Sequence, residues 1–280
     1  MNKDKTTSLE RSYAGHRPSS VTRFLLAFQF LTIIHVKMLD NISAREIGRS
    51  SAFFPLVGAV QGALLAFSSF LLMKTFPPEL TNGLLVLILV IITAGLHLDG
   101  LADTFDAIAS RKDRGEKLAI MKDSAVGPFG VLSIVLVILL KYISLNVLYL
   151  YSSLTIYYSS LFLMPVVSRW AMVVAIFHTK SARQDGLGKI FIEHTGMKEL
   201  FIATSSVLIL FGIACILIIK TLLPSFQVSA FLSALPVLYA FSMIVVWFSG
   251  RNFGGMTGDA FGAAAEMSEL LFLLTVIAWS

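Results

Sequence analysis

The chain has 280 residues, 56% of them hydrophobic and only 14% charged, with a mean hydropathy of +0.81. That balance excludes an ordinary soluble domain and points to a polytopic membrane protein. The formal net charge of +5 would hint at nucleic acid in a soluble protein, but here it reports topology and no nucleic-acid partner is expected. The one cysteine, Cys215, lies in an apolar run, which argues against a disulfide framework.

Residues 1–20 are polar, carry Lys3, Lys5, Arg11 and Arg17, and contain no apolar core. They read as a mobile cytoplasmic tail and not as a cleavable signal peptide. Phe24 to Ile34 is apolar but too short to span, which predicts an interfacial or re-entrant helix. Runs long enough to span follow at 52–73, 83–98 (continuing as a helix through several aspartates), 129–150, 155–177, 201–223, 229–248 and about 264–279. Breaks fall at Pro77-Pro78, Gly127-Pro128, Tyr151-Ser152-Ser153, Pro224 and Gly254-Gly255. The predicted fold is all-α: a membrane bundle of about seven transmembrane helices, with residues 21–280 forming a single catalytic domain.

Charge sets the expected orientation. The N-terminus and the segments 99–128, 178–200 and 249–262 hold nearly all the bases, among them Arg45, Arg111, Lys117, Lys180 and Arg251. The opposite loops hold only Lys74 and Lys220. The positive-inside rule then puts the N-terminus and the basic loops in the cytoplasm.

Two acidic clusters stand out against this apolar background. Asp99, Asp103 and Asp106 are spaced i, i+4, i+7, which places them within about 60° on one helix face. Asp259 and Glu266 repeat the seven-residue interval, and Glu269 lies a further turn along. Carboxylates near hydrocarbon need partners, and two facing acidic stripes would supply hard oxygen ligands for Mg²⁺ or Mn²⁺. Any one of these acids could equally cap a helix or be solvated at the interface. Three on one face, however, repel each other at i, i+4 unless a cation intervenes. Five scattered histidines and a lone cysteine offer nothing for zinc.

Cations surround the acids. Arg111, Lys112, Arg114 and Lys117 follow from the positive-inside rule alone. Lys122 and Asp123, against a glycine-rich entry to the next span, are better phosphate-site candidates. Arg169 lies inside a span about two turns from its basic end. It either snorkels or faces the acidic cavity with a phosphate as partner. Lys141 is buried more deeply in its span and has no assigned role, and His97 reads as a packing histidine more than as a base. The segment ARQDGLG, with Arg183, Asp185, Gly186 and Gly188, predicts a turn able to approach a nucleotide.

Together these motifs resemble the adenosylcobinamide-GDP ribazoletransferase (cobalamin synthase) family. The resemblance is carried by FLT at 30–32, FPLVG at 54–58, LHLDGLADTFD at 96–106, IMKDSAVGPFG at 120–130, SRW at 168–170, ARQDGLG at 182–188 and GGMTGDAFGAAAE at 254–266. Ile33 stands where the family often has a base after FLT, and Ala125 where it often has arginine after MKDS. The resemblance implies a Mg²⁺-dependent integral membrane enzyme. It would join adenosylcobinamide-GDP to α-ribazole or its 5′-phosphate and release GMP. It further implies Mg²⁺ on Asp99, Asp103 and Asp106, joined by Asp259 and Glu266. Lys122 and Arg169 would meet charge on the departing GMP, with Asp123 beside them. Ser124, Arg183, Gly186, Gly188 and Gly258 would contact substrate, and Asp106 or Asp259 would take the proton of the attacking hydroxyl. Two alternatives share parts of this logic: a CDP-alcohol-type lipid phosphotransferase, and a cation-coupled transporter with acids near the midplane on broken helices. Homo-oligomerisation is left open.

Overall fold

The computed structural model describes residues 19–36, 42–221 and 226–279. The expected tail up to residue 18, Lys37 and the break at Pro224 lie outside these residues. The described elements are α1 (Ser20–Leu31), α2 (Ala44–Arg49), a 3₁₀ turn (Ser50–Phe53), α3 (Phe54–Leu72), α4 (Pro78–Ile92), α5 (Leu96–Ala109), α6 (Arg114–Ile120), α7 (Pro128–Tyr151), α8 (Leu154–His178), α9 (Leu187–His194), α10 (Met197–Thr221), α11 (Phe226–Phe253) and α12 (Gly258–Ala278).

Helices begin where the sequence offers a cap. The side chains of Ser19, Ser43, Asp113, Ser153 and Thr257 each accept from a backbone N–H in the first turn of the helix that follows. Pro55, Pro78 and Pro128 occupy first-turn positions, where a missing N–H costs nothing. Among the described residues six helices are long and apolar enough to cross a membrane, or up to seven if α4 and α5 form one bent span. The chain is therefore a multi-pass, all-helical membrane bundle, as predicted. The 12-residue α1 is too short to cross, and its end docks inside the bundle: Gln61 Nε2 donates to Leu31 O at 2.9 Å.

The hub is α8, buried along nearly its whole length. It meets α3 closely because Gly58 and Gly62 carry no side chain. A Cβ at either position would fall 2.6 Å from Pro165 O or 2.1 Å from Phe162 O. This is the small-residue packing that lets membrane helices touch backbone to backbone. At the end away from the basic loops, Ser69, Asn82, Asn146 and Tyr157 tie α3, α4, α7 and α8 by side-chain hydrogen bonds of 2.5–3.2 Å.

One expectation fails in an informative way. The helix predicted to run from residue 83 through the aspartates breaks after Ile92, and α5 leaves at 87° to α4. Ala94 (φ 52°) and Gly95 (φ 68°) both take the left-handed conformation. Ala94 N donates to Ile91 O at 3.0 Å and Gly95 N to Val90 O at 2.9 Å, a Schellman ending. The freed carbonyl of Ile92 accepts from Ile33 N at 2.7 Å, so the segment that follows α1 supplies what the interrupted helix lacks. A break at membrane depth requires this satisfaction from within the protein. The last helix starts at Gly258, ahead of the apolar run at about 264–279, which puts Asp259 in its first turn and Glu266 and Glu269 in its interior.

Candidate active site

The turn between α4 and α5 swings Asp99 and Asp103 toward the start of α12. Gly100 permits the approach, since a Cβ there would lie 2.6 Å from Asp259 O. Gly262 serves the same crossing from the other side, with its absent Cβ 3.1 Å from His97 O. As a result Asp99, Asp103 and Asp259 gather in one place, and the charges of Asp99 and Asp259 both repel that of Asp103. Arg183 answers part of this repulsion with an ion pair of 2.9 Å to Asp259.

Arg183 is held by backbone pairing between two loops. Met256 N donates to Lys180 O at 2.8 Å and Ala182 N to Met256 O at 3.0 Å. This two-strand contact, centred on a parallel bridge between Ser181 and Met256, fixes the loop before α9 against the loop before α12. Gly188 completes the junction, because a Cβ there would stand 2.9 Å from Gly258 N. Gly186 has φ 91°, a conformation that glycine adopts without strain. The starts of α9 and α12 therefore sit side by side. Between them and α5 lies a cavity of about 240 Å³. Its rim carries Asp99, Arg183, Asp185, Lys189 and Asp259, and its floor is apolar.

Other predicted residues are placed differently. Asp106 turns away from the cavity: its two carboxylate oxygens accept from Gly127 N (2.7 Å) and Gly130 N (2.8 Å). It caps α7 from a neighbouring helix, where a negative charge also meets the positive end of the helix dipole. Lys122 lies 3.9 Å from Asp185 with both side chains exposed. Asp123 accepts from Ala125 N at 3.1 Å, shaping the turn, and Ser124 is exposed beside it.

Glu266 does not join the aspartates, and Arg169 does not line the cavity. Lys141 Nζ donates to both Glu266 Oε2 and Glu269 Oε2 at 2.5 Å, and Arg169 donates to Glu269 Oε1 at 3.1 Å. Ser168 extends the cluster, accepting from Arg169 and donating to Ala265 O, each at 2.9 Å. All four charged groups are buried, and their formal charges cancel. The seven-residue interval from Asp259 to Glu266 is nearly two turns, about 10 Å along the axis, which carries Glu266 off the aspartate level. Its partner there is Lys141, which has no assigned role in the sequence analysis. The signal was available: a deep lysine on one span and acids at i, i+3 on another call for each other in hydrocarbon.

Deep carboxylates and a broken helix are features expected of the transporter alternative. Here the deep acids are matched by Lys141 and Arg169, so the cluster offers no uncompensated charge to a travelling ion. The rim residues suit a different ligand. Among the described residues no three His, Cys, Asp or Glu side chains converge closely enough to hold a metal unaided. Mg²⁺, however, is commonly held by one or two carboxylates plus substrate phosphates, with no full protein cage. Two or three mutually repelling carboxylates and no soft donor fit that pattern.

The comparisons with known proteins bear on the same residues. Residues 23–277 match the profile of the cobalamin-5-phosphate synthase family. The adenosylcobinamide-GDP ribazoletransferase of Geotalea daltonii is 38% identical over 259 residues, covering 91% of this chain and 96% of the relative. Proteins of the same name from Desulfitobacterium hafniense (35% over 255 residues) and Clostridium acetobutylicum (33% over 257) also match, each across 91% of this chain and 96% of its own length. No solved structure shows significant similarity. With a match that covers nearly all of the described bundle, this chain belongs to the cobalamin-5-phosphate synthase family.

Proposed function

We propose that the protein joins adenosylcobinamide-GDP to α-ribazole or α-ribazole 5′-phosphate, releasing GMP, at the cytoplasmic face of the inner membrane. The observation that carries this reading is the meeting of Asp99 and Asp259 with Arg183 at the rim of a cavity walled by two helix starts, with Asp103 within reach of their charges. Carboxylates for a cation, a guanidinium for a phosphate and helix N-termini for anions are the components phosphoryl transfer requires.

Asp99 and Asp103 would hold Mg²⁺, with Asp259 at its edge. When bound, the ion would neutralise the diphosphate and polarise the phosphorus under attack. Arg183 is poised to exchange Asp259 for a phosphate oxygen, which would free Asp259 to receive the proton of the attacking ribose hydroxyl. Lys189 at the rim, and Lys122 beside the rim residue Asp185, would meet the charge of the departing GMP. Asp106 contributes by fixing the start of α7 against α5. Arg169, Glu266 and Glu269 act from beneath, setting how α7, α8 and α12 stand.

The test is GMP release by the full-length protein in lipid nanodiscs, titrated with Mg²⁺. Asp103→Asn should lower kcat by at least about 100-fold and raise the Mg²⁺ concentration needed, since it removes charge at the ion and keeps the shape. Wild-type turnover and an unchanged Mg²⁺ response in Asp103→Asn would refute the assignment.

A further inference from the structure

The cavity floor is unlike its rim. Phe30, Phe54, Phe191, Phe261, Met172 and Ile176 form it. Three of the rings are packed on one another, with centroids 4.8 Å (Phe30–Phe191), 5.2 Å (Phe54–Phe191) and 5.8 Å (Phe30–Phe54) apart. His97 lines the same cavity, as do the hydroxyl side chains of Ser181 and Thr257. His97 is 2% exposed, and neither ring nitrogen has a hydrogen-bond partner. Burying an imidazole with both nitrogens unmatched destabilises a fold, and a leucine would pack there at no such cost.

We infer that this cavity seats the base of the acceptor nucleoside, a planar and largely apolar benzimidazole riboside, with His97 as its hydrogen-bonding residue. This inference rests on the transfer reading above. The size is suitable: about 240 Å³ is below the roughly 300–1,000 Å³ of ordinary ligand pockets and admits one flat ring system. The chemistry selects between the two substrates. Guanine presents several donors and acceptors along its edges, which phenylalanine rings and a methionine would leave unpaired. An N-ribosylated benzimidazole has a single edge acceptor, its unsubstituted ring nitrogen. One imidazole N–H matches it, and the second imidazole nitrogen is left to accept from a ribose hydroxyl. Aromatic faces suit the rest of the base. The ribose would then emerge beside Asp99 and Asp259, where the proposed chemistry takes place. The donor's guanosine and phosphates stay with the exposed bases at the rim.

The experiment separates the two substrates kinetically. His97→Leu in nanodiscs should keep or raise its thermal midpoint and raise the KM for α-ribazole at least about tenfold, while the KM for adenosylcobinamide-GDP stays within about twofold. His97→Asn or His97→Gln, which restores a polar atom near one nitrogen or the other, should recover part of the loss. Should His97→Leu fail to fold, Ile176→Phe, which narrows the floor and leaves the rim intact, must show the same split. A rise confined to the donor's KM would make the cavity a nucleotide seat and overturn the inference. Unchanged KM values for both substrates would make His97 a packing residue and do the same. Equilibrium dialysis of α-ribazole alone keeps the two proposals apart. If the wild type binds it, His97→Leu does not, and no GMP is released, the seat stands and the transfer reading fails. If GMP is released normally by His97→Leu, the transfer reading stands and the seat fails.

Discussion

Lys141→Met is the most exacting perturbation of this bundle. In the native cluster two positive groups, Lys141 and Arg169, face two negative ones, Glu266 and Glu269, through contacts of 2.5, 2.5 and 3.1 Å. Methionine fills similar space but removes one positive charge, so the cluster goes from formally neutral to −1. Glu266 has Lys141 as its ion-pair partner and is left with no cation in contact. Removing one partner of a buried pair costs about 3–5 kcal/mol, because the remaining charge is stranded in low dielectric. At about 2–4 °C per kcal/mol for a chain of this size, the thermal midpoint in detergent should fall by roughly 6–20 °C. The double variant Lys141→Met/Glu266→Gln restores neutrality and keeps the Arg169–Glu269 pair, so it should recover most of the loss despite carrying one more substitution. That inversion is the signature of charge matching. A double variant no more stable than Lys141→Met, or a single variant as stable as wild type, would refute the argument.

Two further outcomes follow from the backbone. Asp106→Asn removes the charge facing the start of α7 and leaves one acceptor for the N–H groups of Gly127 and Gly130, so it should lower stability by about 1 kcal/mol. Thermal denaturation reads that change, and the Mg²⁺ response of GMP release should stay near wild type, unlike that of Asp103→Asn. Ala94→Gly relieves the left-handed conformation at φ 52° and should raise stability by about 0.5–1 kcal/mol, net of the entropy glycine adds to the unfolded chain. A loss of thermal stability in Ala94→Gly would show that the break at α4 is not strained.

Hydropathy and caps made most of this architecture legible. Apolar run length located the spans, and the breaks at Ser153 and Pro128 fall where the structure begins α8 and α7. The break at Thr93 was hidden because hydropathy does not register it: VIITAGLHLDG is apolar up to the aspartates. A Thr-Ala-Gly step inside a span is also compatible with a continuous helix. What stops the helix is partly non-local, the Ile33 N–H that takes the carbonyl of Ile92. No window on residues 83–98 contains that donor.

The acidic residues show the same division between local and non-local information. Spacing correctly put Asp99, Asp103 and Asp106 on one helical face, yet a face about 60° wide on a crossing helix touches more than one neighbour. Asp99 and Asp103 meet α12 because Gly100 lets Asp259 come close, while Asp106, two turns beyond Asp99, has passed α12 and reached the start of α7. On α12 periodicity linked Asp259 to Glu266, but periodicity fixes azimuth and not depth. Depth chose the partners: a carboxylate at the first turn can meet a hydrated phosphate, and one two turns inside must find a buried cation. The glycines at 100, 188 and 262 decide which surfaces touch, and only the assembled bundle reveals what each one admits. His97 follows the same rule. As a lone histidine before an acidic stripe it carried little information. In the assembled bundle it lines the cavity below the carboxylates of the rim, with neither nitrogen hydrogen-bonded.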